Sequence, residues 1–476
     1  MDILFFDIYY LFNLIILYYV LFVDFYYVSL FLLSLKQVKH YMRRTSHKVY
    51  KDLNRSHLTP PVSLLIPAYN EEKTIVSNLL SALLVEYPEY EVIVINDGST
   101  DATLEELVEA YSLHEVNVPI RYQIPTEEIR GVYRSLQYPQ LIVLDKENGG
   151  KADALNAGVN ASNFPYICSV DADSLLDRDA LLKTTQPFIE GEDDIVACGG
   201  IIRVANGTTV EDGRVVSVGL PKNPLAIHQV IEYLRSFLMG RLGFSGINSL
   251  LIISGAFGIF RKREIIEIGG YDTTTVGEDM EIIIRLQKYL YDKKSKAKVI
   301  FLPNPICWTE APSSLKVLGR QRIRWHQGLF QALWKHKKTM FNPKYKHMGL
   351  IAMPYFFLVE LIGPTVELVG TILMLVGLYF DIVNVPFAIL FILATFVFGM
   401  FLSMSAVLLE EMTFRKYTRV RDFFKLMLFS MIESFWYRQL NAIWRTMAFF
   451  RIRPNRKARK GAWGGMERKG LSQENT

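Results

Sequence analysis

The chain has 476 residues, half of them hydrophobic, a formal net charge of +5 and a mean hydropathy of +0.17. That length accommodates a full enzyme domain plus a membrane part, and the modest charge excludes the dense basic face of a nucleic-acid-binding protein. Three scattered cysteines, Cys168, Cys198 and Cys307, exclude a disulfide framework or a zinc site and read as buried thiols in a reducing compartment.

The N-terminal stretch 3–35 is apolar apart from Asp7, Asn13 and Asp24. A crossing takes roughly 20 residues, so this stretch predicts one span. It has no basic n-region and no small-residue cleavage site, so it does not read as a signal peptide. Lys36, Lys39, Arg43, Arg44, Lys48 and Lys51 follow it, which by the positive-inside rule puts the next domain in the cytoplasm. The expected organisation is a transmembrane helix (1–36), a basic linker (37–60), a soluble α/β domain (61–310), amphipathic interfacial helices (311–345), a C-terminal transmembrane and interfacial region (346–450), and a basic tail (451–476).

Within the soluble part, Val62–Pro67 is a short buried strand and 71–86 is helical. Glu91–Ile95 is a second strand, ending at Asn96-Asp97-Gly98-Ser99-Thr100-Asp101. A further helix follows, then the strand Leu141–Leu144, a helix from Lys151 to about Ala161 and the strand Tyr166–Val170. This alternation implies a parallel sheet whose ligand sits at the carboxyl ends of its strands, where the polar motifs fall. Residues 113–138 are less regular and read as a surface insertion.

Asp171-Ala172-Asp173 leaves the strand Tyr166–Val170. Alternate carboxylates there suit a hard divalent cation shared with substrate phosphates, whereas the bland reading of a bare Asp-x-Asp is a helix cap or acidic loop. Glu278-Asp279, after Gly277, opens a helical stretch at 280–291 and supplies a carboxylate that can serve as a general base; a plain N-terminal cap is the alternative. Ser254-Gly255-Ala256-Phe257-Gly258 reads as a small-residue turn where a sugar chain can approach the backbone. The segment 146–153 fails the Walker pattern and reads as a turn into a helix, with Lys151 near a nucleotide.

Beyond residue 310, Gln321-Arg322-Ile323-Arg324-Trp325 stands just before the apolar stretches 349–381 and 386–409, both read as crossings. Residues 422–450 are apolar but hold Lys425, Glu433, Arg438 and Arg445, and a third crossing would place the basic tail outside; an interfacial or re-entrant role is expected. Glu360 and Glu367 lie seven apart on one helix face, either lining a path for a polymer or sitting at headgroup level.

In this order, Pro67-Ala68-Tyr69-Asn70-Glu71, Asn96-Asp97-Gly98-Ser99, Gly149-Gly150-Lys151, Asp171-Ala172-Asp173, Gly277-Glu278-Asp279 and Gln321-x-x-Arg324-Trp325 resemble the motifs of processive family 2 glycosyltransferases. Those make cellulose, hyaluronan, chitin and poly-N-acetylglucosamine. The resemblance implies a GT-A α/β domain with membrane helices, a UDP-sugar donor, Mg2+ or Mn2+, and a growing polysaccharide as acceptor. It implies that Tyr69, Glu71, Asp97, Lys151 and Asp171 bind UDP and that Asp173 holds the metal. Asp279 would be the base, with Glu278 beside it, and Arg324 would stabilise the leaving group. Gln321, Trp325, Phe257 and Gly258 would face the acceptor.

Gly277 stands where cellulose synthases usually have Thr, no Phe-x-Val-Thr-x-Lys-like gating segment is present, and the tail is too short for a cyclic-di-GMP-binding domain. Arg130–Arg134 and the Leu-Arg-Ser-Phe-Leu-Met-Gly-Arg stretch from Leu234 look more like Gram-positive exopolysaccharide synthases, and Lys460–Gly465 like the end of hyaluronan-type synthases. The expectation is a multi-pass enzyme of a bacterial cell membrane that makes a β-glucan from UDP-glucose, including mixed-linkage forms. A poly-N-acetylglucosamine or hyaluronan-like synthase is the alternative, and a nucleotide-binding membrane transporter is the reading from another class. A homo-oligomer is left open.

Overall fold

The computed structural model describes residues 2–45, 59–190, 193–211, 213–417 and 419–451. Lys48, Lys51 and the tail segment Lys460–Gly465 lie outside them.

Four apolar runs form the parallel heart of a ten-stranded sheet: β1 (Val62–Ala68), β2 (Tyr90–Asn96), β5 (Leu141–Lys146) and β6 (Tyr166–Val170). Every residue of β1 and β5 is buried, the pattern of strands covered on both faces. β1 pairs in parallel with β2 on one side and β6 on the other, and β2 pairs with β5. The strand order therefore reverses at β1, and a crevice opens beyond the carboxyl ends of these strands. Helices α2 (Ile75–Leu83), α3 (Thr103–Tyr111) and α4 (Lys151–Ala161) fill the connections.

The sheet is mixed, not parallel throughout. β3 (Leu113–Glu115) and β4 (Ile129–Ser135) form an antiparallel edge on β5, so residues 113–138 are partly sheet edge and not simply an insertion. The connection from β4 to β5 spans 136–140 and is too short for a parallel crossover. On the far side, β7 (Ser174–Leu176), β8 (Ile195–Val204), β11 (Phe257–Arg261) and β12 (Lys298–Thr309) complete the order β3-β4-β5-β2-β1-β6-β11-β8-β12-β7. β11 runs antiparallel to both β6 and β8, while β8 and β12 are parallel. A separate hairpin comprises β9 (Thr209–Glu211) and β10 (Arg214–Ser217). The architecture is a GT-A-like mixed sheet.

Helix α1 (Asp2–Thr45) has 44 residues. At 1.5 Å per residue it is about 66 Å long, twice a hydrocarbon core of roughly 30 Å, so it can cross once and still reach the sheet domain. Its far end does so: Asn304 in β12 donates to the Tyr41 hydroxyl at 2.5 Å. After α5 (Ala180–Glu190), α6 (Pro224–Leu234) runs on through a π-helical segment, Arg235–Arg241. Then come α7 (Glu278–Asp292), α8 (Leu315–Lys335), α9 (Met348–Tyr379) and α10 (Val385–Thr413). Residues 7–43, α9 and α10 are long and apolar enough to cross a membrane. α9 stays continuous past Pro354 and Pro364 because π-helical turns at Met348–Ala352 and Phe356–Ile362 absorb the lost hydrogen bonds. The stretch after residue 419 breaks into α11 (Val420–Ile432) and α12 (Tyr437–Arg451) around a 3-10 turn, and neither half has the length of a crossing.

Candidate active site

The turn after β1 and the turn after β2 are tied together. Asn70, at φ +56°, accepts from the Thr100 amide at 2.8 Å, its own amide donates to Ser99 Oγ at 3.0 Å, and the Glu71 amide donates to Thr103 Oγ1 at 2.9 Å. Asn tolerates this left-handed backbone better than most residues. The tie presents Tyr69 and Glu71 to a cavity of ≈ 1200 Å³.

Asp97 does not face that cavity. It is fully buried, 2.7 Å from Lys146 Nζ, and its two oxygens accept the amides of Gly149 and Gly150 at 3.0 and 2.7 Å. Lys146, equally buried, also meets Asp153 at 2.6 Å. The expectation that Asp97 grips the nucleotide is therefore corrected: its carboxylate shapes the glycine turn that opens α4. Gly98, at φ +66°, has no room for a Cβ, which would lie 2.8 Å from the Asn148 amide nitrogen.

That turn delivers Lys151 into the cavity, 2.6 Å from Asp171 Oδ1 and 3.3 Å from Glu278 Oε1. Burial pulls the ammonium down, but Asp171, Glu278 and Asp279 together outweigh it and hold its pKa well above the usual lysine range. Asp173, two residues along, is buried at the cavity wall, with Thr309 Oγ1 of β12 at 3.5 Å.

Glu278 and Asp279 form the first turn of α7. Burial, reinforced by Glu278, pushes the Asp279 carboxyl up to about 6, against the pull of Lys151 and Arg241. A carboxylate poised there can take a proton near neutral pH. Arg241 lies on the same cavity over the Phe237 ring at 4.0 Å, its own pKa lowered to about 10 by burial. Its role is not visible in the sequence, since only the fold of Arg235–Arg241 back over the site brings it there.

Helix α8 forms the opposite wall. Gln321, Arg322, Arg324 and Trp325 all line the cavity. Among the described residues no acid pairs with Arg324, so its guanidinium remains available to an anion. Phe257 and Gly258 do not reach the cavity. Phe257 is a fully buried β11 residue, and a Cβ on Gly258 would meet Ile253 at 2.7 Å. The turn before them, Ser254–Ala256, is what lines the wall. The expected acceptor role of Phe257 and Gly258 is corrected accordingly.

The donor set fits a hard divalent cation. Asp171 and Asp173 both reach the cavity, and no group of three or more His, Cys, Asp or Glu among the described residues forms a closed cage. A Mg2+-type ion is commonly held by one or two carboxylates plus substrate phosphates.

The same cavity extends between the apolar helices. Its wall includes Tyr19 and Asp24 of α1, Glu360 and Glu367 of α9, Thr395 and Gly399 of α10, and Arg438 and Arg445 of α12. Glu367 pairs with Arg438 at 2.9 Å and Glu360 with Arg445 at 2.9 Å, so the two acids line an interior path with their charges balanced.

Residues 63–263 match the model for glycosyl transferase family 2, and residues 166–402 match glycosyl transferase family group 2. Together the two matches place residues 63–402 in the family 2 glycosyl transferases.

This family 2 glycosyl transferase is similar to a poly-beta-1,6-N-acetyl-D-glucosamine synthase of Staphylococcus epidermidis, 29% identical over 282 residues, 58% of each chain. The synthase of Staphylococcus aureus strain COL is 27% identical over 357 residues, 73% of this chain and 74% of the relative. The chain thus spans 58% of the length of the Staphylococcus epidermidis relative. Among solved structures, the mannosyltransferase PcManGT from Pyrobaculum calidifontis superposes with a TM-score of 0.49 at 17% identity, over 87% of this chain and 99% of that one.

Proposed function

We propose that the protein is a processive, inverting glycosyltransferase that builds a β-linked polymer of N-acetylglucosamine from UDP-N-acetylglucosamine and passes it across a membrane. The observation that carries this reading is the single cavity running from Lys151, Asp171 and Asp279, past Gln321–Trp325, to the acid–arginine pairs between the apolar helices. The names of the Staphylococcus relatives move the donor from the UDP-glucose expected from the sequence to the N-acetylglucosamine nucleotide.

In this reading Asp279 takes the proton of the acceptor hydroxyl. The acceptor oxygen forms a bond to the anomeric carbon from the face opposite the diphosphate. The bond from that carbon to the phosphate oxygen breaks, and its electron pair leaves with UDP. Arg324 meets the charge that develops on the diphosphate, where a fixed guanidinium is worth most. Asp171 and Asp173 would hold a divalent cation, which when bound would supply further positive charge at the diphosphate. Tyr69, Glu71 and Lys151 hold the nucleotide, and Trp325 offers the acceptor sugar a ring to stack on, with Gln321 beside it. The sheet domain faces the cytoplasm, because Lys36, Lys39 and Arg43 follow the apolar part of α1.

Membranes containing the protein, supplied separately with radiolabelled UDP-N-acetylglucosamine and UDP-glucose, test the donor. Polymer from the first alone supports the proposal; polymer from UDP-glucose alone returns the reading to a β-glucan and overturns it.

A further inference from the structure

The Gln-Arg-Ile-Arg-Trp segment contains two arginines, and the functional reading uses only Arg324. Two positions apart on a helix, the side chains of Arg322 and Arg324 point roughly 200° from each other, so they meet different neighbours. Arg322 lies instead one turn from Trp325, the spacing at which helical side chains meet. Its guanidinium carbon is 4.4 Å from the centroid of the Trp325 ring.

The surroundings of the pair are asymmetric. Trp325 is 42% exposed toward the cavity, and among the described residues no other ring or cation stacks on it. Arg322 is 3% exposed and is held through Nη2 alone, its Nε and Nη1 having no hydrogen-bond partner among the described residues. Its Nη2 lies 2.7 Å from Glu232 Oε2 of α6, and the Tyr437 hydroxyl of α12 donates to that same oxygen at 2.6 Å. Tyr437 is in turn stacked on His228 of α6, ring centroids 5.1 Å apart at 16°. An exposed indole held from one side only changes rotamer readily. A sugar stacks on it productively only if the ring plane stays put, and the desolvated guanidinium beneath it supplies that constraint.

We propose that Arg322, clamped by Glu232 and Tyr437, is a positioning residue that fixes the Trp325 ring as an acceptor platform and so sets how long the growing chain is retained between transfers. This rests on the acceptor role given to Trp325 above. Its separate consequence is that product length responds to Arg322 through Trp325, in contrast to the effect of a structural arginine.

The test is a double-mutant cycle in the purified full-length protein with UDP-N-acetylglucosamine, reading mean product length and the rate of UDP release. Arg322→Leu and Trp325→Ala are each expected to shorten the product about fivefold, with length falling more than UDP release. The double variant is expected to be no shorter than Trp325→Ala alone. Arg322→Lys, which keeps a cation near the ring, is expected to recover part of the length. Glu232→Gln, a smaller change for use if Arg322→Leu does not fold, should shorten the product in the same sense. Full-length product from Arg322→Leu or Glu232→Gln, or additive losses in the double variant, would overturn the proposal while leaving the acceptor role of Trp325 standing. Unchanged length in Trp325→Ala would overturn both.

Discussion

Gly277 and Gly328 touch backbone to backbone. A Cβ on Gly277 would lie 2.8 Å from the Gly328 backbone, and one on Gly328 would lie 2.8 Å from Gly277 Cα. Gly277 precedes the Glu278-Asp279 turn, and Gly328 sits one turn beyond Trp325. This contact therefore joins the two walls of the site, and it explains why Gly stands where cellulose synthases usually have Thr. Gly277→Thr must push α8 away from α7. Displacing a positioning wall by about 1 Å can cost roughly 10²-fold in rate, so transfer by Gly277→Thr should fall by about that factor, measured as UDP release. Gly328→Ala should act in the same direction.

As the proposed base, Asp279 should give the enzyme an acidic limb. Its pKa is raised to about 6 by burial and by Glu278, and only the deprotonated carboxylate can accept the acceptor's proton. Activity is thus present above about pH 6 and should fall about tenfold per unit below it, in a profile of kcat/KM, which reports the free enzyme. Asp279→Asn should abolish transfer at every pH while UDP binding, followed by calorimetry, persists.

Lys151 is the cation between Asp171 and Glu278. Lys151→Met leaves those carboxylates and Asp279 facing one another in a partly buried site. The expected result is a loss of roughly 10²–10³-fold in kcat/KM, of the size seen when one preorganised electrostatic group is removed. A variant retaining more than a tenth of wild-type activity would show that the nucleotide is held elsewhere.

Asp97 acts through the backbone it holds. Asp97→Ala strands two glycine amides and leaves Asp153 as the one carboxylate on Lys146, beside the Glu147 carbonyl, and breaking a buried pair typically costs about 3–5 kcal/mol. A marked fall in Tm is expected, together with weaker UDP binding. A variant with wild-type Tm but no UDP affinity would point instead to direct contact with the nucleotide.

The parallel half of the sheet is legible because Leu64–Ile66, Val92–Ile95 and Leu141–Leu144 are short apolar runs followed by polar motifs. The second half is not, because β12 passes through Pro303 and β11 reads as a glycine-rich turn, although Phe257, Ile259 and Phe260 are all buried. Residue type located Lys151, Asp171, Asp173 and Asp279 on one cavity, since each lies just after a strand or at a helix start, whereas Trp325 reaches the same cavity from the middle of α8. It misplaced Asp97, because the direction a side chain takes in a turn depends on tertiary partners such as Lys146. Arg322 went unassigned for a related reason: spacing says that it meets Trp325, and only packing says that Glu232 and Tyr437 hold it there.

The central claim is repeated addition at one site, and product length at low donor conversion tests it most directly. With purified protein, excess acceptor ends and UDP-N-acetylglucosamine, the account predicts long polymer while most acceptor is still unextended, and no polymer from Asp279→Asn. A population of short products lengthening in step, or a single added sugar, would contradict it.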